Sequence, residues 1–198
     1  MGTEAGGRIR SFIAVDLAAP VRASLHALLA ELAQVQCQVR WVRADRLHVT
    51  LKFLGGVEPA RLAQARAALV AALAGRPALR VRARGLGAFP SWRRPRVLWV
   101  GLDGDGLPEL AAGVEAALCG VGFEPERRAF IPHITVGRVI GTRGWARIEE
   151  RMQAHLSGDF GTSIVDCVTI YSSILRPDGA VYTPLWTIPL GRNMEGPP

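Results

Sequence analysis

Apolar and polar positions alternate with a period of two along residues 47–55, LHVTLKFLG, and again along 131–138, IPHITVGR. In the first stretch His48, Thr50 and Lys52 share one side, and Val49, Leu51 and Phe53 the other. In the second, His133 and Thr135 alternate with Ile134 and Val136. Successive side chains of a strand point to opposite faces. Each stretch therefore predicts a half-buried strand that carries an imidazole and a hydroxyl side by side.

The other elements follow from the same patterning. Residues 8–17 predict a strand, apolar from Phe12 to Val15. From Pro20 to about Gln36, Val21, Leu25, Leu28, Leu29 and Leu32 recur at helical spacing behind a proline suited to a first turn. A short strand at 39–42 and a turn at 44–46 lead into the first His-x-Thr strand, which Gly55 and Gly56 end. Residues 58–74 predict a helix with Leu62, Leu69 and Leu73 inward, stopped by Gly75 and Pro77. Residues 79–89 and 96–102 predict two strands of a hairpin with a basic tip at 90–95. A turn at 103–106 and a helix at 107–118 come next. The second His-x-Thr strand spans 129–140, with Pro132 at a start or edge where a missing N–H does no harm. A helix at 145–156, a strand at 163–175, a turn at 177–179 and a strand at 182–190 complete the chain. The order of elements loosely repeats, which predicts two similar lobes, each bringing one His-x-Thr strand to a shared cleft.

Composition narrows the partners. With 198 residues and 49% hydrophobic content the chain can bury a sizeable core. No apolar run approaches the roughly 18 residues of a membrane span, and residues 1–10 hold no apolar signal-peptide segment. Cys37, Cys119 and Cys167 are scattered without C-x-x-C spacing, as expected of buried or inert thiols in a reducing cytoplasm. The formal charge of +7 is almost entirely arginine and favours a polyanion, nucleic acid before a membrane surface.

Two facing imidazoles can divide acid–base work, one taking a proton from water and the other giving one to a leaving oxygen. A threonine hydroxyl beside each can donate to a phosphate oxygen where charge builds. This is equipment for metal-free phosphodiester chemistry. Neither motif holds Asp or Glu, and no Walker-type glycine loop is present, which sets aside nucleoside triphosphate hydrolysis. A zinc site needs a third ligand, and His26 and His155 fall on predicted helices. Neither a metal nor a cofactor is expected.

The segments HVTLKFLG and FIPHITVGR resemble the paired HxTx motifs of the 2H phosphoesterase superfamily, most of all its RNA 2',3'-cyclic phosphodiesterases, also called 2'-5' RNA ligases (LigT, ThpR). The similarity extends to the opening RSFIAVDL, to WVRADRLHVTLKFLG, and to the closing strands around Gly179-x-x-Tyr182. The resemblance implies an α+β fold of two lobes related by a pseudo-twofold axis. Each lobe would be an antiparallel sheet with helices outside and a cleft between lobes. Residues 1–198 would form one domain of intertwined lobes with one motif each, 48–51 and 133–136. It implies hydrolysis of RNA 2',3'-cyclic phosphate ends to 2'-phosphomonoesters, with His48 as proton donor, His133 as proton acceptor, and Thr50 and Thr135 on the phosphate. Weak ATP-independent 2'-5' ligation would be the reverse reaction, carried out by a cytoplasmic monomer. The rival from another class is a binding module that holds RNA ends or nucleotides without turnover. The rival from the same class is a cyclic phosphodiesterase of small substrates such as cyclic nucleotides, against which the charge and the basic hairpin weigh.

Further contacts are expected around this centre. Arg138 turns from the cleft under strict alternation, unless Gly137 permits a bulge; relatives in the family carry an arginine here. Lys52 shares the face of His48. Phe53 faces the other way toward a core, unless strand twist presents it to a base. Trp92 and Arg93, on the tip SWRRPR, have the aromatic and cationic character that grips single-stranded RNA. Trp41, Trp99 and Trp186 are expected in the core.

Overall fold

A computed structural model describes residues 7–176 and 179–191. The turn expected at 177–179 therefore lies, for 177 and 178, outside the described residues, as do residues 1–6 of the N-terminal stretch. Nine strands form one sheet, antiparallel throughout its named pairs, in the order β7–β4–β5–β6–β3–β1–β8–β9 with β2 beside β6. They are β1 (Ile9–Asp16), β2 (Val39–Trp41), β3 (His48–Val57), β4 (Leu79–Phe89), β5 (Val97–Asp103), β6 (His133–Val139), β7 (Asp159–Val165), β8 (Cys167–Arg176) and β9 (Gly179–Pro189). The helices are α1 (Ala19–Leu32), α2 (Pro59–Leu73), α3 (Leu107–Gly120) and α4 (Trp145–Gln153). The class is α+β, as the sequence predicts.

The sheet reads as two four-stranded halves, β7–β4–β5–β6 and β3–β1–β8–β9, joined where β6 meets β3. Helices cross between them. α1 leaves β1 of one half and packs against β7 of the other, and α3 leaves β5 to pack against β3. Each helix presents an aliphatic stripe to the sheet: Val21, Leu25, Leu28, Leu29 and Leu32 on α1, and Leu107, Leu110, Ala111, Val114 and Leu118 on α3. One contiguous core results, in which Ile13, Val15, Val49, Ile134 and Val136 are fully buried on the helix-covered face of the sheet. At about 25 cal/mol per Å² of apolar area, such burial is the main force holding the halves together.

Several boundaries shift by a few residues, with α1 ending at Leu32 and β6 beginning at His133, and two differences go further. The strand expected at 163–175 is two strands, β7 and β8, on opposite halves of the sheet, with Asp166 between them. The crossover falls inside SIVDCVTI, an apolar run without glycine or proline, so the local pattern carries no break signal. The first His-x-Thr strand also runs on through Gly55 and Gly56 to Val57, because β1 continues to pair with it there.

Candidate active site

Both His-x-Thr strands lie at the centre of the sheet as direct neighbours, with Val49 opposite Ile134. That antiparallel register sets His48 across from Thr135 and Thr50 across from His133. The four side chains thus share the face opposite the buried Val49 and Ile134, in a pseudo-twofold arrangement. The His48 and His133 rings are close enough for charge on His133 to act on His48.

Each imidazole is oriented the same way. His48 Nδ1 lies 2.8 Å from the Arg46 carbonyl oxygen, and His133 Nδ1 lies 2.7 Å from that of Ile131. A carbonyl only accepts, so each Nδ1 carries its hydrogen and each Nε2 is left as the exchangeable nitrogen. His48 Nε2 stands 3.0 Å from Thr50 Oγ1. Burial lowers the pKa of His48; its bond to the Arg46 carbonyl and the charge of Asp16 push it back up. Burial also lowers that of His133, and Arg138 lowers it further. A carboxylate therefore acts on one imidazole and a guanidinium on the other.

Beyond each threonine both strands carry a bulge, and this decides three expectations. Ala14 pairs with Thr50 but Ile13 with Lys52, so Leu51 and Lys52 together oppose one residue. Trp99 pairs with Thr135 but Leu98 with Gly137, so Val136 and Gly137 do the same. An extra residue reverses the parity of everything after it. Lys52 thereby turns away from the histidines into the helix-covered side, the first correction. It is 6% exposed, and its ammonium donates to both Glu115 carboxylate oxygens, at 2.8 and 2.7 Å, and to the Glu124 carbonyl. Phe53 is likewise corrected from core to cleft: it is 63% exposed, its ring 6.1 Å from that of Phe12, which lies against His48. Arg138 comes back to the cleft side through the Gly137 bulge. Gly137 itself faces the core, where a Cβ would sit 2.9 Å from the Trp41 ring. Phe53 and Arg138 thus occupy equivalent places, five residues after their histidines.

The hairpin tip differs from expectation as well. Trp92 is partly buried against the core, with its ring 6.3 Å from that of Trp145 on α4, so it is a packing residue, while Arg93 is exposed. Trp41 and Trp186 pack on the core. Trp99 does not: it lies on the cleft face over Gly87, where a Cβ would come within 2.0 Å of its ring, and 5.2 Å from Phe89.

Several cleft residues went unread in the sequence. Phe12, Tyr171 and Tyr182 build an aromatic floor under His48. Tyr171 stacks on Phe12 at 5.3 Å, and Tyr182 stands edge-on to His48 at 5.3 Å. Phe89 stands edge-on to His133 at 5.1 Å. Asp16 pairs with His48 across β1 and β3, and both its carboxylate oxygens accept from the Tyr171 hydroxyl, at 2.9 and 2.7 Å. Burial first, then Asp16, raises the Tyr171 pKa and keeps that hydroxyl protonated. The only local hint was an aspartate closing the apolar run FIAVD. A groove of about 850 Å³ opens beside Phe53, lined among others by Arg8, Arg61 and Gln64, and neither histidine reaches it. Among the described residues no three His, Cys, Asp or Glu side chains gather in a metal-binding group, and no helix is long and apolar enough to cross a membrane.

Comparison with known proteins matches residues 15–99 to the LigT like Phosphoesterase family. An RNA 2',3'-cyclic phosphodiesterase of Archaeoglobus fulgidus is 34% identical over 178 residues, 89% of this chain and 98% of the relative. One of Methanothermobacter thermautotrophicus is 32% identical over 177 residues, 89% and 96% of the two chains. Among solved structures, a Thermus thermophilus protein superposes with a TM-score of 0.78 at 28% identity, covering 92% of this chain and 98% of its own. LigT of E. coli in complex with 3'-AMP superposes with a TM-score of 0.73 at 25% identity, covering 92% and 98%.

Proposed function

Because this chain belongs to the RNA 2',3'-cyclic phosphodiesterase family of LigT-like phosphoesterases, we propose that it opens the cyclic phosphate at RNA ends by two-histidine acid–base catalysis. The observation that carries this reading is the opposite electrostatic company of the two imidazoles. Asp16 favours a proton on His48 and Arg138 disfavours one on His133. Neighbours of opposite sign bias one imidazole toward the role of acid and the other toward that of base. His133 Nε2 then takes a proton from water as it attacks phosphorus. The bond to the 3' oxygen breaks, and His48 Nε2 gives that oxygen its proton, leaving a 2'-phosphomonoester. The protons balance: one enters at His133 and one leaves from His48. Thr50 and Thr135 donate to the non-bridging oxygens, Arg138 neutralises them, and the exposed Phe53 stacks on a base.

The cyclic ester needs a 2' oxygen, so the substrate is RNA. Run backwards, with a 5'-hydroxyl in place of water, the same groups join ends as a weak 2'-5' ligation without ATP. The reaction as proposed uses no metal; the carboxylate paired with His48, Asp16, accepts from the Tyr171 hydroxyl on both oxygens. Both lobes of the single domain contribute one motif. The chain acts as a monomer in the cytoplasm, in keeping with free thiols at Cys37, Cys119 and Cys167.

The test is hydrolysis of an RNA oligomer ending in a 2',3'-cyclic phosphate, in EDTA, with the product identified. A 2'-phosphate end is the expected result; a 3'-phosphate, or binding without turnover, overturns the reading. The pH dependence adds a second expected result. Activity fails on the acid side as His133 takes up a proton and on the alkaline side as His48 loses its own. Both pKa values lie below the ordinary histidine value of 6.5, so kcat/KM for the free enzyme peaks below that pH. Bound phosphate favours both imidazolium forms, and the kcat optimum lies higher. Asp16→Asn removes a charge that raises the His48 pKa, so the alkaline limb moves to lower pH while the acid limb holds. A flat profile from pH 5 to 9, or a D16N profile shifted on both limbs alike, counts against the assignment.

A further inference from the structure

Arg138 stands in a row that leads out of the site. Directly paired residues of neighbouring strands share a face. Phe89 pairs with Val97, Val97 with Arg138, and Arg138 with Arg40 on β2. The bulge at Gly137 has turned this row to the cleft side. It starts at Phe89, whose ring meets His133, and ends on two arginines paired across β6 and β2. Like charges directly opposite each other on a sheet destabilise it. Both arginines are exposed, and among the described residues neither has a carboxylate within ion-pair distance. Of the two arginines only Arg138 acts on His133; Arg40 stands one strand, about 5 Å, further out and figures in the electrostatics of neither histidine. One cyclic phosphate accounts for Arg138 and leaves Arg40 unexplained.

We infer that Arg40 binds the phosphodiester of the nucleotide adjoining the cyclic end, so that the cleft selects oligoribonucleotide ends over cyclic mononucleotides. The inference rests on the proposed function for the identity of the substrate. An unpaired guanidinium pair flanked by Phe89 and Val97 combines cations with apolar surface, the composition that tracks a single strand without reading its sequence. β2 lies beside β6 but off the main path of the sheet, and Arg40 there is exposed to solvent.

The experiment compares wild type, Arg40→Ala and Arg40→Lys on a 2',3'-cyclic mononucleotide and on an oligoribonucleotide with the same cyclic end. The ratio of kcat/KM, oligomer over mononucleotide, should fall roughly five-fold in Arg40→Ala, the scale of one exposed ion pair. Oligomer affinity against salt should lose about 0.7 in log–log slope, one phosphate contact on a single strand. Arg40→Lys should keep the salt slope. An unchanged ratio with an unchanged slope, or equal losses on both substrates, overturns the inference. If wild type hydrolyses neither substrate, the proposed reaction is what fails, and the salt slope of oligomer binding still decides for or against Arg40.

Discussion

His133→Ala and His48→Ala each lower kcat on a cyclic-phosphate RNA end by about 10² to 10⁴-fold, the usual worth of a positioned acid or base. The expectation follows from the orientation of the rings. Each Nδ1–H is engaged by a backbone carbonyl two residues earlier, Arg46 or Ile131, so each Nε2 is held toward the cleft in both protonation states. Alanine removes the proton carrier and leaves the strand intact, because the helix-side neighbours Val49 and Ile134 hold its register. The two losses do not add. One proton must be taken and one given for the same bond change, so the double variant falls about as far as the worse single one. Single-turnover rates with enzyme in excess over oligomer measure this directly. A variant that keeps kcat within a few-fold of wild type removes that histidine from the chemistry, and independent losses that multiply separate the two from a common step.

The alternation that announces the two strands is a local, period-two property, and the aliphatic stripes of α1, α2 and α3 are local in the same sense. The pairing of imidazole with hydroxyl at His48 and Thr50, and at His133 and Thr135, could therefore be read from order alone. The sides taken by the residues beyond each threonine could not. A bulge adds one residue without altering composition, and it exchanges the sides of every later position. Gly137 marked the chance of one in β6, which kept Arg138 in view. Nothing in Leu51–Lys52 marked its counterpart in β3, so Lys52 was expected in the cleft and Phe53 in the core, the reverse of the structure. Trp99 misled for another reason. An apolar strand position usually means core, yet here the ring lies on the cleft face over Gly87. Asp16, Tyr171 and Tyr182 arrive at His48 from strands far away in the sequence, and pairing at that range leaves no trace in a local pattern. The division of 163–175 at Asp166 is lost in the same way, since only the change of strand partner reveals it.

Glu115→Ala destabilises the fold by about 3–5 kcal/mol, the cost of leaving a buried charge without its partner. The Lys52 ammonium is held by Glu115 of α3 and by the Glu124 carbonyl, and its side chain is 5% exposed against 28% for Glu115. Burial works against the charge of Glu115, but the bonds from Lys52 and the Glu126 N–H outweigh it and lower its pKa. Its stabilising contribution is present above the unfolded value of 4.5 and is lost as pH falls through the lower folded one. Removing Glu115 strands Lys52 and leaves the Glu126 N–H without its acceptor. For a chain of this length the loss should appear as a fall of roughly 10 °C in Tm. Lys52→Met is milder, because it fills the space with apolar atoms and leaves a carboxylate that can reach water. The same pair bears on the site. Lys52 anchors the bulge that turns Phe53 outward, so Glu115→Ala, assayed well below its Tm, should raise KM more than it lowers kcat. Thermal unfolding of both variants beside wild type decides the matter. If Glu115→Ala melts with wild type, or Lys52→Met costs more than Glu115→Ala, the buried pair is not what holds β3 to α3.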